Sequence, residues 1–160
     1  VSAFLLNRSS DLTILDNIRY YKKEASEEEV KEAAKKAHAD IFINTLPNGY
    51  MTKVSNRHGL SEGQRQMIAI ARIMLLNPEL VILDEATSNI DTRSEKLITD
   101  AFDFIMKDKT SIVIAHRLST IEKADIIIVM KDGSIVETGN HQELMKKQGF
   151  YYSLYSSQYK

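Results

Sequence analysis

Residues 60–64 read Leu-Ser-Glu-Gly-Gln, and residues 83–88 read Leu-Asp-Glu-Ala-Thr-Ser. These two stretches are the most informative part of the sequence for the fold. Four fixed residues in a window of five occur by chance in about one chain of this length per thousand. The residues between the two stretches are enough for a single helix. Because both stretches occur, in this order and at this spacing, coincidence is a poor explanation of the pair.

The first stretch predicts the start of a helix. Ser61 followed three positions later by Gln64 is a capping-box pattern, in which each residue bonds the backbone N–H of the other. The apolar residues that follow share one helical face: Met67, Ile68, Ala71, Met74 and Leu75. Asn77 and Pro78 end the periodic run, so we expect a helix between Ser61 and Asn77.

The start of this helix is suited to binding an anion. A helix N-terminus presents unbonded backbone N–H groups and the positive end of the helix dipole. Gly63 has no Cβ, which allows a phosphate to approach the backbone closely. Alone, Ser61 is more simply interpreted as the cap of a core helix. The acidic stretch downstream favours the phosphate interpretation.

The second stretch predicts two acidic groups at the end of a strand. Residues 80–83 form a continuous apolar run, which is typical of a strand covered on both faces. Asp84 and Glu85 follow at its carboxyl end, where open α/β sheets bind ligands. One such acid can hold Mg²⁺ and the other can orient or deprotonate an attacking water. The alternative is an exposed acidic turn.

The remaining elements alternate between helices and strands in the second half of the chain, which indicates an α/β fold. Asp91 is expected to cap a helix whose inner face carries Leu97, Ile98, Ala101 and Ile105. Residues 111–115 predict a second buried strand, directly followed by His116. Residues 125–130 and 135–137 flank Lys-Asp-Gly-Ser, a strong hairpin signal.

The composition is that of a globular chain of one-domain length. Among 160 residues, 43% are hydrophobic and 27% charged, the net charge is −1, and there is no cysteine. With no basic run, nucleic-acid binding has no electrostatic support, and we expect no nucleic-acid partner. The apolar stretches are too short to span a bilayer, so this segment is expected to be soluble.

Taken together, the two stretches resemble the signature motif and Walker B segment of ABC-type ATPase domains. Residues 115–120, Ala-His-Arg-Leu-Ser-Thr, are similar to the switch motif of ABC exporters, and residues 88–91 resemble the D-loop. Thr-Ile-Leu-Asp-Asn-Ile at residues 13–18 resembles an exporter pattern as well. The resemblance implies a P-loop NTPase (RecA-like) core, present in part, with the ABC helical subdomain.

The resemblance also implies roles for individual residues. It makes Asp84 the Mg²⁺-binding aspartate, Glu85 the catalytic glutamate and His116 the residue that contacts the γ-phosphate and the attacking water. Residues expected to bind ATP, by their positions in the signature motif and the D-loop, are Leu60, Ser61, Gly63, Gln64 and Asp91. His141 matches a family segment in which a structural role is expected.

The function implied is ATP binding and hydrolysis in an ABC exporter, at the cytoplasmic face of the plasma (inner) membrane. The implied partners are a second ABC ATPase domain, arranged head to tail so that two nucleotides are sandwiched, and the transmembrane domain of the same transporter. We expect residues 1–77 to hold the helical subdomain ending in the signature helix. Residues 78–160 are expected to hold the Walker B, D-loop and switch part of the core.

Some family motifs do not occur in this sequence. There is no Gly-x-x-x-x-Gly-Lys-Ser/Thr motif (Walker A), and no glutamine precedes Gln64, so the Q-loop glutamine is not found. We therefore expect a part of one domain that is inactive alone. In the resembled core the Walker A strand lies between residues 111–114 and 125–130. Without it, these strands should pair with each other or recruit a strand from a neighbour.

Glu62 stands where the family often has glycine, and we expect its carboxylate to point away from bound phosphates.

Two other functions stay open. A non-transport ABC ATPase would carry a long coiled coil before the signature, and no heptad run occurs here. A degenerate regulatory subunit is the second, although Glu85 and His116 are both present. The transported substrate is not encoded in these residues.

Overall fold

The computed structural model describes residues 12–54, 59–84, 92–114 and 118–158. Contacts divide the chain into two units, Val1–Val113 and Ile114–Lys160. Each unit has its own cluster of buried apolar side chains. The division we expected after residue 77 separates a helical subdomain from a sheet-containing core, and it stays a prediction.

The first unit is mainly helical. Its elements follow in the order α1 (Ile14–Arg19), α2 (Glu27–Lys36), α3 (Asp40–Ile43), a 3-10 helix (Gly49–Met51), α4 (Glu62–Leu76), β1 (Leu80–Asp84), α5 (Thr92–Met106) and β2 (Thr110–Ile114). Strands β1 and β2 pair in a two-stranded sheet. The unit boundary falls just before Ile114, the last residue of β2.

Helix α4 is the central element of the first unit, since it packs against α1, α2 and α5. The predicted inner face is confirmed: Met67, Ile68, Ala71 and Leu75 are buried, and Met74 is partly buried against them. Each fully buried large side chain contributes about 1.5–3 kcal/mol of transfer free energy. The helix ends as predicted at Asn77, which adopts the left-handed conformation with φ 48°.

Two other helices in this unit also begin with a side-chain cap. Ser26 and Glu29 form a capping box at the start of α2, and Thr13 caps α1 through the backbone N–H of Asp16. On α2 the buried residues are Val30, Ala33 and Ala34. On α5 the predicted inner residues Ile98, Ala101 and Ile105 are buried. For α5, as for α4, sequence periodicity therefore predicted the buried face.

The prediction that β1 and β2 are buried on both faces is wrong for the described residues. Val81 and Leu83 are buried in the core, whereas Leu80 and Ile82 are 52% and 55% exposed. On β2, Ile112 and Ile114 are 52% and 53% exposed, and Val113 packs against the core. A sheet needs a layer on each side to bury both faces, and within the described residues this unit supplies a layer on one side.

The second unit contains the predicted hairpin. After α6 (Leu118–Glu122), strands β3 (Ile127–Lys131) and β4 (Ser134–Gly139) pair antiparallel, followed by α7 (His141–Lys147) and α8 (Phe150–Gln158). Asp132 and Gly133 form the two-residue loop with φ of 51° and 78°. Positive φ at both positions is the type I′ geometry that matches the twist of the strands.

The unit's core consists of Ile127, Val129, Leu144 and Tyr151.

The sequence left open whether β2 and β3 pair with each other or recruit a strand from a neighbour. Among the described residues β2 pairs with β1 and β3 with β4, so their mutual pairing is not observed. Strand recruitment stays a prediction. Within the described ranges, no helix combines the length and apolar character needed to cross a membrane.

Candidate functional site

The predicted capping box forms at the start of α4. The backbone N–H of Gln64 donates to Ser61 Oγ at 3.2 Å, and the backbone N–H of Ser61 donates to Gln64 Oε1 at 2.9 Å. Ser61 has extended backbone angles, φ −66° and ψ 164°, as an N-cap residue requires. The side chain of Gln64 is thereby committed to organising the turn, and Ser61 lies at the exposed end of the helix.

The other signature residues lie nearer the protein interior. Leu60 is partly buried and packs against the core of the first unit, so it anchors the chain that leads into α4. Gly63 is buried on the packed side of the helix. Their roles toward a nucleotide, like that of Ser61, stay predictions.

An ion pair occupies the first turn of the same helix. Arg65 Nη2 lies 2.5 Å and Nε 3.2 Å from Glu62 Oε2, and Arg65 Nη1 donates to the carbonyl oxygen of Leu60 at 2.8 Å. The carboxylate of Glu62 is thus bound to a guanidinium on its own helix. That Glu62 points away from a bound phosphate stays a prediction, and Arg65 as its partner was not predicted from the sequence. The available signal was the opposite charge three positions on.

A buried arginine holds the middle of α4 to α1. Arg72 is 2% exposed, and Asn17 is fully buried. Arg72 Nη2 donates to Asn17 Oδ1 at 2.7 Å, and Arg72 Nε donates to the backbone carbonyl of Asn17. The amide of Asn17 in turn donates to the carbonyl oxygen of Thr13 at 2.9 Å. The asparagine of the exporter-like pattern therefore has a structural role in this chain.

Desolvation by burial lowers the pKa of the Arg72 guanidinium below its usual range. The guanidinium also lies 5.6 Å from the centre of the Tyr20 ring, a cation–π contact. Arg72 was not predicted from the sequence either. It lies four residues after Ile68 and so falls on the inner face of α4, where a charge signals a buried polar contact.

Asp84 is the last residue of β1, and its side chain is exposed. An exposed carboxylate at the end of a strand is the hard oxygen ligand that Mg²⁺ prefers, so the residue fits its predicted role. Glu85, Asp91 and His116 lie outside the described residues. In the sequence, Glu85 directly follows β1, Asp91 directly precedes α5, and His116 comes shortly after β2. Their roles remain predictions.

The second unit contains a network of structural contacts. Glu137 on β4 accepts the backbone N–H groups of Phe150 and Tyr151, at 3.0 and 2.7 Å, and so caps the start of α8. His141 Nδ1 lies 2.8 Å from the hydroxyl of Tyr151. The ring of His141 also lies 5.1 Å from that of Tyr155, between centres. These contacts agree with a structural role for His141.

Comparison with known proteins decides the family. A family model described as ABC transporter matches residues 5–88, more than half of the 160 residues. The chain belongs to the ABC transporter family. Its predicted α/β fold, a partial P-loop NTPase (RecA-like) core with the ABC helical subdomain, is thereby confirmed.

Individual relatives of this ABC transporter chain support the exporter resemblance. An uncharacterised ABC transporter ATP-binding protein of Bacillus subtilis is 52% identical over 148 residues, covering 92% of this chain and 24% of the relative. A fatty acid ABC transporter ATP-binding/permease protein of Mycobacterium bovis is 53% identical, covering 90% and 23%. A putative multidrug export ATP-binding/permease protein of Staphylococcus aureus is also 53% identical, covering 91% and 25%.

Among solved structures, a bacterial Atm1-family ABC exporter with ATP bound matches with a TM-score of 0.80 and 41% identity. The match covers 94% of this chain and 27% of that chain. The chain therefore spans about a quarter of the length of these relatives.

Proposed function

We propose that this chain is the signature and Walker B part of the ATP-hydrolysing domain of an ABC exporter, and that a longer protein carries it. The observation that carries the proposal is the capping box at the exposed start of α4. It forms on the signature residues of a chain that aligns over 94% of its length with an exporter structure. The cap engages the N–H groups of Ser61 and Gln64 and fixes the turn. The other N–H groups of a helix's first turn have no acceptor within the helix and can be presented to a phosphate.

In this proposal the site is shared between two domains arranged head to tail. Ser61 faces the nucleotide bound by the opposite domain, and Gly63, which has no side chain, lets the phosphate approach the helix start. Gln64 binds in the same motif by holding the cap and Leu60 by anchoring the chain before it, and Asp91 lies at the interface between the two domains. Asp84 holds Mg²⁺, which neutralises phosphate charge when bound. Glu85 orients and deprotonates the attacking water, and His116 contacts the γ-phosphate.

The transport step follows from the same arrangement. ATP closes the two domains on each other, and hydrolysis lets them separate, which moves an attached transmembrane domain. The site then lies at the cytoplasmic face of the membrane. Since the sequence contains no Walker A motif, this chain alone is expected to lack turnover.

Replacing Glu85 with glutamine in the longer protein tests the proposal. We expect Mg²⁺-ATP turnover to fall at least about a hundredfold, because the general base is lost. ATP affinity should change little, since the phosphate contacts remain. Phosphate release and equilibrium binding of ATP are the measurements.

Glu79→Gln is the matched control, because Glu79 is an exposed acid just before β1 and has no proposed role. The 160-residue chain alone serves as a second control and should release no phosphate. Wild-type turnover in Glu85→Gln would contradict the catalytic assignment. If the 160-residue chain hydrolysed ATP, with an activity that Glu85→Gln abolishes, that result would contradict the proposal that the chain is inactive without the rest of the domain.

A further inference from the structure

Glu62 places a negative charge in the first turn of α4, close to the proposed phosphate position. An acid there favours the helix itself, because it complements the positive end of the dipole. The same charge repels a phosphate that approaches this helix end. At a separation of several ångströms near a protein surface, such repulsion weakens binding by about three- to tenfold.

Arg65 is placed to remove this repulsion. Its side chain runs back toward the start of α4, as long helical side chains do, and contacts Glu62 Oε2 through Nη2 at 2.5 Å and through Nε at 3.2 Å. The third contact, from Nη1 to the carbonyl oxygen of Leu60 at 2.8 Å, fixes the guanidinium at the entry of the helix. One group thus neutralises the acid and bonds to the signature backbone.

The exposure of the Arg65–Glu62 ion pair indicates that its main effect is not on the stability of the helix. The side chains of Arg65 and Glu62 are 41% and 36% exposed, and an exposed ion pair of this spacing stabilises a helix only slightly. The chain has a comparable pair on α2, where Lys31 lies 2.7 Å from Glu27 with both side chains half exposed. That pair belongs to a different helix and serves as a reference.

We propose that Arg65 is a positioning residue of the nucleotide site, which binds the Glu62 carboxylate and so keeps the start of α4 able to accept a nucleotide phosphate. The proposal rests on the proposed function. It assigns to this chain a compensation for an acid at a signature position where the family often has glycine. Arg65 acts through Glu62, and its effect therefore depends on that residue.

A double-mutant cycle in the longer protein tests the dependence. Arg65→Gln should raise the KM for Mg²⁺-ATP about three- to tenfold with kcat changed less than about twofold, because the carboxylate is released near the phosphate. Glu62→Gln should leave KM unchanged or slightly lower. The double variant should return to within about twofold of wild type. Lys31→Gln is the matched control and should leave both constants unchanged.

Two further measurements separate this role from a structural one. Arg65→Lys keeps the charge and should retain a KM near that of wild type. If Arg65→Gln does not fold, Arg65→Met takes its place in the cycle, because methionine removes the charge and is a good helix former. The KM increase of Arg65→Gln should also shrink as ionic strength rises, because salt screens exposed charges. A purely structural loss would show neither rescue by Glu62→Gln nor this salt dependence.

The contradicting results are distinct from failure of the proposed function. If Arg65→Gln raised KM equally in the wild-type and Glu62→Gln backgrounds, or did not raise it at all, the proposed role of Arg65 would be wrong. The proposed function would not be affected by that result. Ser61→Arg in the same protein tests the site itself and should abolish turnover. If Ser61→Arg turned over ATP normally, the proposed function would fail, whatever the cycle gave.

Discussion

Asn17 and Arg72 show how single residues fix the position of the signature helix. Both are buried, and the guanidinium donates to the side chain and to the backbone of Asn17. A buried charge is tolerated only where its donors find acceptors, so the loss of one acceptor is expensive. The sequence pattern pointed to Asn17 but gave no partner, because residues 55 positions apart carry no local signal.

Asn17→Ala should destabilise the 160-residue chain by about 2–3 kcal/mol, since it leaves Nη2 of Arg72 without its side-chain acceptor. Urea unfolding followed by circular dichroism measures the change. Asn48→Ala is the matched control, because Asn48 is exposed and makes no side-chain capping bond to the 3-10 helix. It should change stability by less than about 0.5 kcal/mol. Equal effects of the two substitutions would contradict the assigned role.

At the scale of elements, local signals predicted the helices well. The predicted cap Ser61 bonds a residue three positions further on, so a short stretch of sequence shows both partners, and the caps Ser26 and Thr13 are equally local. The hairpin loop at Asp132 and Gly133 was equally local. The start of α8 depends on a contact that is not local. Its cap, Glu137, lies on β4, and such a contact depends on how the strand and the helix pack.

Gly149→Ala tests this cap. A Cβ at residue 149 would lie 1.8 Å from Glu137 Oε1, so the carboxylate would have to move and release the N–H groups of Phe150 and Tyr151. We expect a loss of about 1–2 kcal/mol, with faster amide hydrogen exchange at those two residues. In a Glu137→Ala background the same substitution should add less than about 0.5 kcal/mol. Additive losses would show that Gly149 acts independently of Glu137.

At the level of the whole molecule, the property that the sequence predicted wrongly is the burial of the strands. An apolar run such as residues 80–83 predicts burial on both faces, but Leu80 and Ile82 are more than half exposed. Burial of a sheet is a property of its neighbouring layers, which the run itself does not encode. The relatives are about four times as long as this chain. A longer protein that covers these faces is consistent with our proposal that the chain is one part of an exporter.

The candidate site divides in the same way. The capping box at Ser61, the helix that follows it and the placement of Asp84 at the end of β1 were all predictable from spacing. The ion pair of Arg65 with Glu62 was within reach of the charge pattern but was missed. Glu85, Asp91 and His116 lie outside the described residues, and their roles rest on the proposed function.

ATP retention by the Glu85→Gln form of the longer protein is the decisive test of an ATP site shared between two domains. With Mg²⁺ and labelled ATP, we expect this variant to keep nucleotide through gel filtration, because the two domains close on ATP and cannot hydrolyse it. Adding Ser61→Arg should abolish retention, since the signature helix then cannot close on the phosphate, whereas Glu79→Gln alone should behave as wild type. Absence of retained ATP in Glu85→Gln together with normal turnover would contradict the account.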